Sequence, residues 1–269
     1  MRDDTRSLIV FFVTAYAWAW AVFIPLAYFR GPMEWTILAT MAPTAAAVVA
    51  QWTVAGNVRA VRLWTGWPRV VGASAIGVVL IALAFVVLPV VTTSDPRPLH
   101  WRILLSISVY NYSTLLGGPL FEEPGWRGFA LPRLEARFHP VVASVLLSIV
   151  WAAWHLPLFF YPGWISASPL QYLLIVVGAG VLLAFGANLA RFSVITPILM
   201  HAMFNTASRF VNGLFAGTHT EPHSSMPFEM VMGLCGLAIA GVVVAVTRGR
   251  LAYRRPLSSL DADYVEHRG

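Results

Sequence analysis

The feature that most constrains this chain is a series of apolar stretches, each about 20 residues long and free of charged residues. A helix needs about 20 mostly apolar residues to cross a bilayer, and a lipid-embedded backbone must satisfy its hydrogen bonds internally. The predicted spans are 8–28, 35–55, 70–91, 103–121, 141–160, 170–190, 192–208 and 230–247. The sequence therefore predicts an all-α, polytopic membrane protein with about eight transmembrane helices.

The composition supports a membrane protein and argues against a nucleic-acid partner. Charged residues make up 11% of the chain and hydrophobic residues 58%, with a mean hydropathy of +0.71, whereas a soluble domain carries about 25% charged residues. The formal net charge is +6, and every basic residue is an arginine. These arginines are spread over the segments between the predicted helices rather than gathered into one basic stripe. The positive-inside rule for membrane proteins therefore accounts for them better than binding to nucleic acid.

The positions of the arginines predict the orientation of the helices. With the N-terminus inside, fourteen arginines fall on the cytoplasmic side and four outside, as the positive-inside rule requires. The four outside are Arg30, Arg97, Arg102 and Arg209. The predicted topology is N-in and C-in, with a transmembrane domain over 1–248 and a polar cytoplasmic tail over 249–269. It places the end of the fourth helix, and the arginines that follow it, at the cytoplasmic face.

A pair of adjacent carboxylates, Glu122 and Glu123, follows the fourth predicted helix directly. Carboxylates beside a membrane span are costly and mark functional sites. Pro124 cannot continue a regular helix, because it lacks a backbone N–H, so we expect the chain to break or bend there. A bend would let Arg127 pair with one carboxylate, with Glu123 the expected partner, and leave Glu122 for chemistry. The alternative is an ion pair that caps two helices.

Two further polar positions lie within predicted spans. His155 follows Trp151 by four residues in the fifth span, and His201 and Asn205 share one face of the seventh. Each has a structural alternative: a buried histidine among tryptophans, or a polar pair that joins helices by hydrogen bonds. The single cysteine, Cys235, excludes an internal disulfide and a zinc site built from cysteines.

Taken together, these groups favour hydrolysis of an acyl bond, most naturally a peptide bond. They supply a base, a second group that handles protons, and donors for an oxyanion. A glutamate near histidines in a partly dry pocket is suited to activate water, because desolvation brings the pKa of a carboxyl towards the working pH. An amide and an imidazole can donate hydrogen bonds to the oxyanion of a tetrahedral intermediate.

The three motifs, in this order, resemble those of the CAAX protease and bacteriocin-processing family (CPBP, formerly Abi). The motifs are Glu-Glu-x-x-x-Arg from Glu122, an aromatic residue and histidine at Trp151 and His155, and His-x-x-x-Asn from His201. The family consists of multi-helix intramembrane endopeptidases and includes type II prenyl-protein proteases. The similarity implies a core over about 101–212 and agrees with the number of helices.

The resemblance also implies roles for individual residues. Glu122 would activate water with the assistance of His155. Glu123 and Arg127 would form a pair that shapes the site and neutralises its charge. His201 and Asn205 would form the oxyanion hole. The sequence departs from the family at Trp151, where phenylalanine is usual; the substitution keeps an aromatic wall.

The resemblance leaves the metal requirement open, since the family has been described both as metalloproteases and as glutamate proteases. Glu122, His155 and His201 would supply the three protein ligands of a zinc site. Against this, the chain has no His-Glu-x-x-His helix, and Asn205 suits an oxyanion hole better than a metal. We therefore expect direct glutamate catalysis that requires no cofactor, with zinc as the alternative.

Partners and location follow from the same features. The expected partners are the lipid bilayer and a peptide or protein substrate that is membrane-anchored or of the prenylated type; the sequence does not predict the oligomeric state. The arginine-only, compact chain suggests a bacterial plasma membrane with the active site near the cytoplasmic side. The alternatives are a non-enzymatic protein for bacteriocin self-immunity or complex assembly, and a transporter, which the lack of an internal repeat disfavours.

Overall fold

The computed structural model describes residues 2–58, 65–93, 117–165, 167–215 and 228–254, and all regular structure in these ranges is helical. Eleven α-helices are labelled in chain order. They are α1 (Arg2–Phe29), α2 (Thr36–Thr40), α3 (Ala42–Ala55), α4 (Trp67–Ala82), α5 (Leu88–Thr93), α6 (Pro119–Glu123), α7 (Leu131–Glu135), α8 (Pro140–Trp154), α9 (Pro169–Leu189), α10 (Ile195–Phe215) and α11 (Phe228–Val246). Short 3₁₀ helices cover Met33–Trp35 and Leu156–Phe160, and π-helices cover Leu83–Val87 and Pro124–Ala130.

Six helical segments in the described part of the chain are long and apolar enough to cross a membrane. They are Asp4–Phe29, Met33–Ala55, Trp67–Thr92, Pro140–Phe160, Pro169–Leu189 and Phe228–Val246. These six match the first, second, third, fifth, sixth and eighth predicted spans, so the all-helical membrane fold is confirmed. The predicted span 103–121 lies mostly outside the described residues, and the seventh corresponds to α10, which begins three residues later than expected and extends further. The number eight and the N-in, C-in orientation remain predictions.

Small residues let the helices of the bundle approach closely. On α9, a Cβ added to Gly178 would lie 2.7 Å from the backbone carbon of Gly236 on α11. Helices α1 and α3 also pack closely, and their buried residues include alanines: Ala15 and Ala19 on α1, and Ala46 on α3. In lipid, such close backbone packing replaces the hydrophobic driving force that joins helices in water. The helices around the carboxylate pair are therefore held by contact along their lengths.

Of the two possibilities expected at Pro124, a break or a bend, the break is wrong because the chain stays helical there, and the bend stays a prediction. Helix α6 runs directly into the π-helix Pro124–Ala130, and α7 follows without interruption. A π-helix accommodates a residue without an N–H by widening the turn, and such turns are frequent at functional sites. Within the widened turn, Gly125 lies so close to the backbone of Pro43 that a Cβ would overlap it.

Hydrogen bonds between helices bring several polar side chains to one end of the bundle. The Arg133 guanidinium donates to the Gln51 side chain at 2.9 Å, and the Asn188 amide donates to the Glu135 carboxyl at 2.7 Å. Asn188 also lines one cavity together with Arg69, Arg191 and Arg254. We call this part of the molecule the arginine-rich end.

The carboxylate pair does not lie at the arginine-rich end. Glu122 precedes Arg133 by eleven residues along a helical path, a separation of roughly 15 Å. Arg127, which the topology argument counted among the cytoplasmic arginines, is only 1% exposed and lies inside the bundle. Arg127 therefore neutralises a buried carboxylate, and the side of the membrane assigned to it stays a prediction.

Candidate active site

Glu122 is a buried carboxylate whose two oxygens have different surroundings. Its side chain is 3% exposed. The indole N–H of Trp151, from α8, donates to Oε2 at 2.8 Å. The other oxygen, Oε1, lies beside Gly118, where a Cβ would come within 2.9 Å of it and within 3.7 Å of the Asn205 amide nitrogen. A side chain at position 118 would therefore crowd Oε1, and glycine lets the backbone pass close to the carboxylate and the amide.

Glu123 is fully buried and accepts two charge-assisted hydrogen bonds on a single oxygen. Arg127 Nη1 donates to Oε1 at 2.8 Å, and His201 Nδ1 lies 2.7 Å from the same atom. The predicted pairing of Glu123 with Arg127 is therefore confirmed. The contact with His201 was not predicted, because the sequence does not show that α10 crosses α6 at this level. Since a carboxylate oxygen accepts, Nδ1 carries a hydrogen and Nε2 is the free nitrogen of His201.

Trp151 connects the two carboxylates. Besides its hydrogen bond to Glu122, its ring lies under the Arg127 guanidinium, with Cζ 4.4 Å from the centroid. The edge of the ring meets His201, with centroids 5.0 Å apart and planes at 81°. The sequence identified Trp151 as an aromatic wall. Its indole N–H is the one chemical difference from phenylalanine that could have indicated the additional hydrogen bond.

His155 ends α8 at the edge of the cluster. Its Nδ1 lies 2.9 Å from the carbonyl oxygen of Trp151. A carbonyl only accepts, so Nδ1 carries the hydrogen and Nε2 keeps its lone pair. The ring is enclosed by aromatic side chains, with Trp154 at 4.7 Å, Trp164 at 5.8 Å and Tyr172 at 5.7 Å between centroids.

The site residues divide into a dry interior and an accessible edge. Glu123 and His201 are buried, while His155 and Asn205 are half-buried. Within the described residues, His155 makes no hydrogen bond with Glu122. Tyr172 on α9 lies within electrostatic range of Glu122 and is a neighbour that sequence reasoning did not identify. A substrate would approach from the side of His155 and Asn205.

The three possible zinc ligands do not form a ready metal site. Across the described part of the chain, no group of three His, Cys, Asp or Glu side chains is placed to hold a metal ion. His201 and His155 each use Nδ1 for a hydrogen bond and leave Nε2 available, an arrangement that is also common among metal-bound histidines. We assign no step to a metal, and the requirement for one is left to experiment.

Comparison with known proteins identifies the segment that builds this site. The family model described as type II CAAX prenyl endopeptidase Rce1-like matches residues 100–207, a range that includes all six predicted site residues. A curated relative, CAAX prenyl protease 2 of Methanococcus maripaludis, is 29% identical over 149 residues, which cover 44% of this chain and 54% of the relative. The chain thus spans about half the length of this relative. The segment 100–207, which builds the site, is thus similar to the Rce1-like family of type II CAAX prenyl endopeptidases.

Proposed function

We propose that the protein is an intramembrane endopeptidase that hydrolyses a peptide bond in a membrane-associated substrate of the prenylated type. The observation that carries this proposal is the asymmetry of Glu122. One oxygen is held by an indole N–H, and the other faces Gly118 on the side of the Asn205 amide, with no ion-pair partner among the described residues. A carboxylate fixed in this way is oriented to act on a water molecule rather than to close an ion pair.

In the proposed reaction, Glu122 Oε1 removes a proton from water as the oxygen attacks the substrate carbonyl carbon. The tetrahedral intermediate places a negative charge on the former carbonyl oxygen. The Asn205 amide is suited to donate a hydrogen bond to it. The proton taken by Glu122 then passes to the amide nitrogen as the carbon–nitrogen bond breaks, which releases an amine and a carboxylic acid.

The charges of the buried cluster suggest how His201 contributes. Two carboxylates and the Arg127 guanidinium carry a net charge of −1, and an uncompensated buried charge is costly. One proton on His201 would make the cluster neutral while leaving Glu122 ionised. His201 would then donate from both nitrogens, to Glu123 through Nδ1 and to the oxyanion through Nε2. This one proton on His201 would thus allow Glu122 to stay ionised as the base and would supply a second donor to the oxyanion.

His155 is suited to a different step because its Nε2 carries a lone pair. Placed at the accessible edge, it would accept a hydrogen bond from the attacking water and hold it for Glu122. The hydrogen bond from Nδ1 to the Trp151 carbonyl fixes the ring in this tautomer. Glu123 and Arg127 act indirectly, by holding His201 in place.

The test is a Glu122→Gln variant assayed in proteoliposomes on a fluorogenic, prenylated peptide. Glutamine keeps the shape of the side chain but cannot take a proton, so we expect kcat to fall by about a thousandfold or more, the upper part of the range for a general base. Glu34→Gln makes the same change on an exposed side chain; it is the matched control and should cleave normally. Wild-type cleavage by Glu122→Gln would refute the proposed reaction.

A further inference from the structure

A second site is suggested at the arginine-rich end, away from the carboxylates. A cavity of about 580 Å³ lies between the start of α4, the end of α9 and the segment after α11. Its lining includes Arg69, Ile76, Asn188, Arg191 and Arg254. Asn188 is 16 residues from Tyr172 along α9, which corresponds to about 24 Å. The cavity is therefore separate from the candidate active site.

The rim of the cavity carries three exposed positive charges from three different parts of the chain. One N–H of the Arg69 guanidinium donates to the carbonyl oxygen of Thr65 at 3.0 Å. Among the residues that the structure describes, no carboxylate forms an ion pair with Arg69, Arg191 or Arg254. Three like charges around one cavity repel each other, and an anion between them relieves the repulsion. Helix α4 also begins here, so the positive end of its dipole adds to the attraction.

One wall of the same cavity is apolar and continues along the outside of the bundle. Gly72, Ala73 and Ile76 line it on successive turns of α4. Ile76 is 49% exposed, and Val79, about one turn further along α4, is 56% exposed. A ligand that fills the cavity therefore meets guanidinium groups at one end and an open hydrocarbon surface at the other. That combination matches an amphiphile with an anionic head.

We propose that this cavity binds the phosphate head group of an anionic phospholipid, with an acyl chain along the exposed face of α4. Guanidinium groups bind phosphate oxygens through paired, charge-assisted hydrogen bonds. Basic pockets between membrane helices at the end of a bundle are suited to anionic lipids. The proposal depends on the cavity and its charges and is independent of peptidase activity.

The experiment measures lipid binding to the full chain in neutral detergent by native mass spectrometry. Dioleoyl phosphatidylglycerol is titrated against dioleoyl phosphatidylcholine, and inorganic phosphate is added in a separate arm as a competitor. Arg69→Gln, Arg191→Gln and Arg254→Gln are compared with Arg250→Gln, which removes an exposed charge near the C-terminal end of α11 but outside the cavity. Arg191→Lys tests whether charge alone restores binding, and the melting temperature without lipid shows that each variant is folded.

We expect phosphatidylglycerol to bind in preference to phosphatidylcholine. Each cavity variant should weaken its binding about fivefold, since one basic residue near an anionic lipid contributes about that factor. Arg250→Gln should leave binding unchanged, and Arg191→Lys should recover much of it. The proposal would be overturned if the two lipids bound equally well, or if Arg250→Gln weakened lipid binding as much as the cavity variants do. It would also be overturned if millimolar phosphate displaced phosphatidylglycerol completely, because the site would then be one for a soluble anion.

Discussion

The indole N–H of Trp151 gives the sharpest test of how Glu122 is held. Replacing Trp151 with phenylalanine removes this donor, while a phenyl ring can still cover Arg127 and meet His201. A hydrogen bond to a charged group contributes about 1.5–3 kcal/mol, which corresponds to a factor of about 10 to 150. We expect kcat for the fluorogenic prenylated peptide to fall by this factor, because the freed carboxylate no longer points Oε1 at the water.

The pH profile distinguishes this effect from a loss of packing. Without the hydrogen bond that favours its ionised form, Glu122 becomes more basic. The acid limb of the kcat profile should therefore move to higher pH, while KM changes little. A variant that merely loosens the core would lower activity at every pH and leave the limb in place.

Trp126 supplies a matched control for the loss of volume. Its ring is also fully buried, but its indole nitrogen has no hydrogen-bond partner among the described residues. Trp126→Phe thus removes the same atoms without removing a contact to a carboxylate. If the two variants have the same kcat and the same acid limb, Trp151 does not orient Glu122. Because the resembled family usually has phenylalanine here, the comparison also shows whether this chain depends on a contact its relatives lack.

Four further predictions follow from the packing and the buried charges. Arg127→Gln leaves Glu123 buried without its cation and should destabilise the protein by about 3–5 kcal/mol, measured as a lower melting temperature in detergent. Gly125→Ala places a methyl group against neighbouring backbone and should cost about 1–3 kcal/mol, whereas Gly241→Ala, with open space around it, should not destabilise. Burial raises the pKa of Glu135 to about 8, so between about pH 4.5 and 8 the folded protein holds a proton that the unfolded chain has released. The melting temperature should therefore fall as the pH rises through this range. Glu135→Gln removes the titrating group and should flatten this dependence of the melting temperature on pH. Peptidase activity should survive dialysis against a strong chelator; loss of activity that zinc restores would contradict the metal-independent reaction.

The sequence was sufficient to predict the membrane-spanning helices in the described part because hydrophobic length is a local property. The pairing of Glu123 with Arg127 was also predicted, although from an expected bend, whereas the structure joins the two residues across one turn of a continuous helical path. The sequence did not predict that Arg127 is buried, because counting charges cannot distinguish an arginine in a loop from one that neutralises a carboxylate. Nor did it predict the contacts of Trp151 with Glu122 and of His201 with Glu123, which depend on how separate helices cross.

At Pro124, contacts with other helices outweigh the local effect of proline on a helix. The missing N–H predicted a break or a bend, but the π-helix Pro124–Ala130 keeps the chain helical and so excludes the break. Close packing of Gly125 against Pro43, and a hydrogen bond from the Thr44 hydroxyl to the carbonyl of Phe121, tie this segment to α3. These tertiary contacts hold the widened turn in place and are not apparent from the residues on either side of the proline.

The division between a dry interior and an accessible edge has a consequence for the order of events in turnover. Within the cluster, only His155 and Asn205 are more than slightly exposed, so water and peptide would enter by the same opening. A bulky, lipid-linked peptide lodged there would block it. The hydrolytic water must then be resident before the substrate arrives, and it can be replaced only after a product leaves. Refilling with water would become a recurring step of each cycle, and solvent viscosity or osmotic stress would slow the enzyme even where the chemical step is fast.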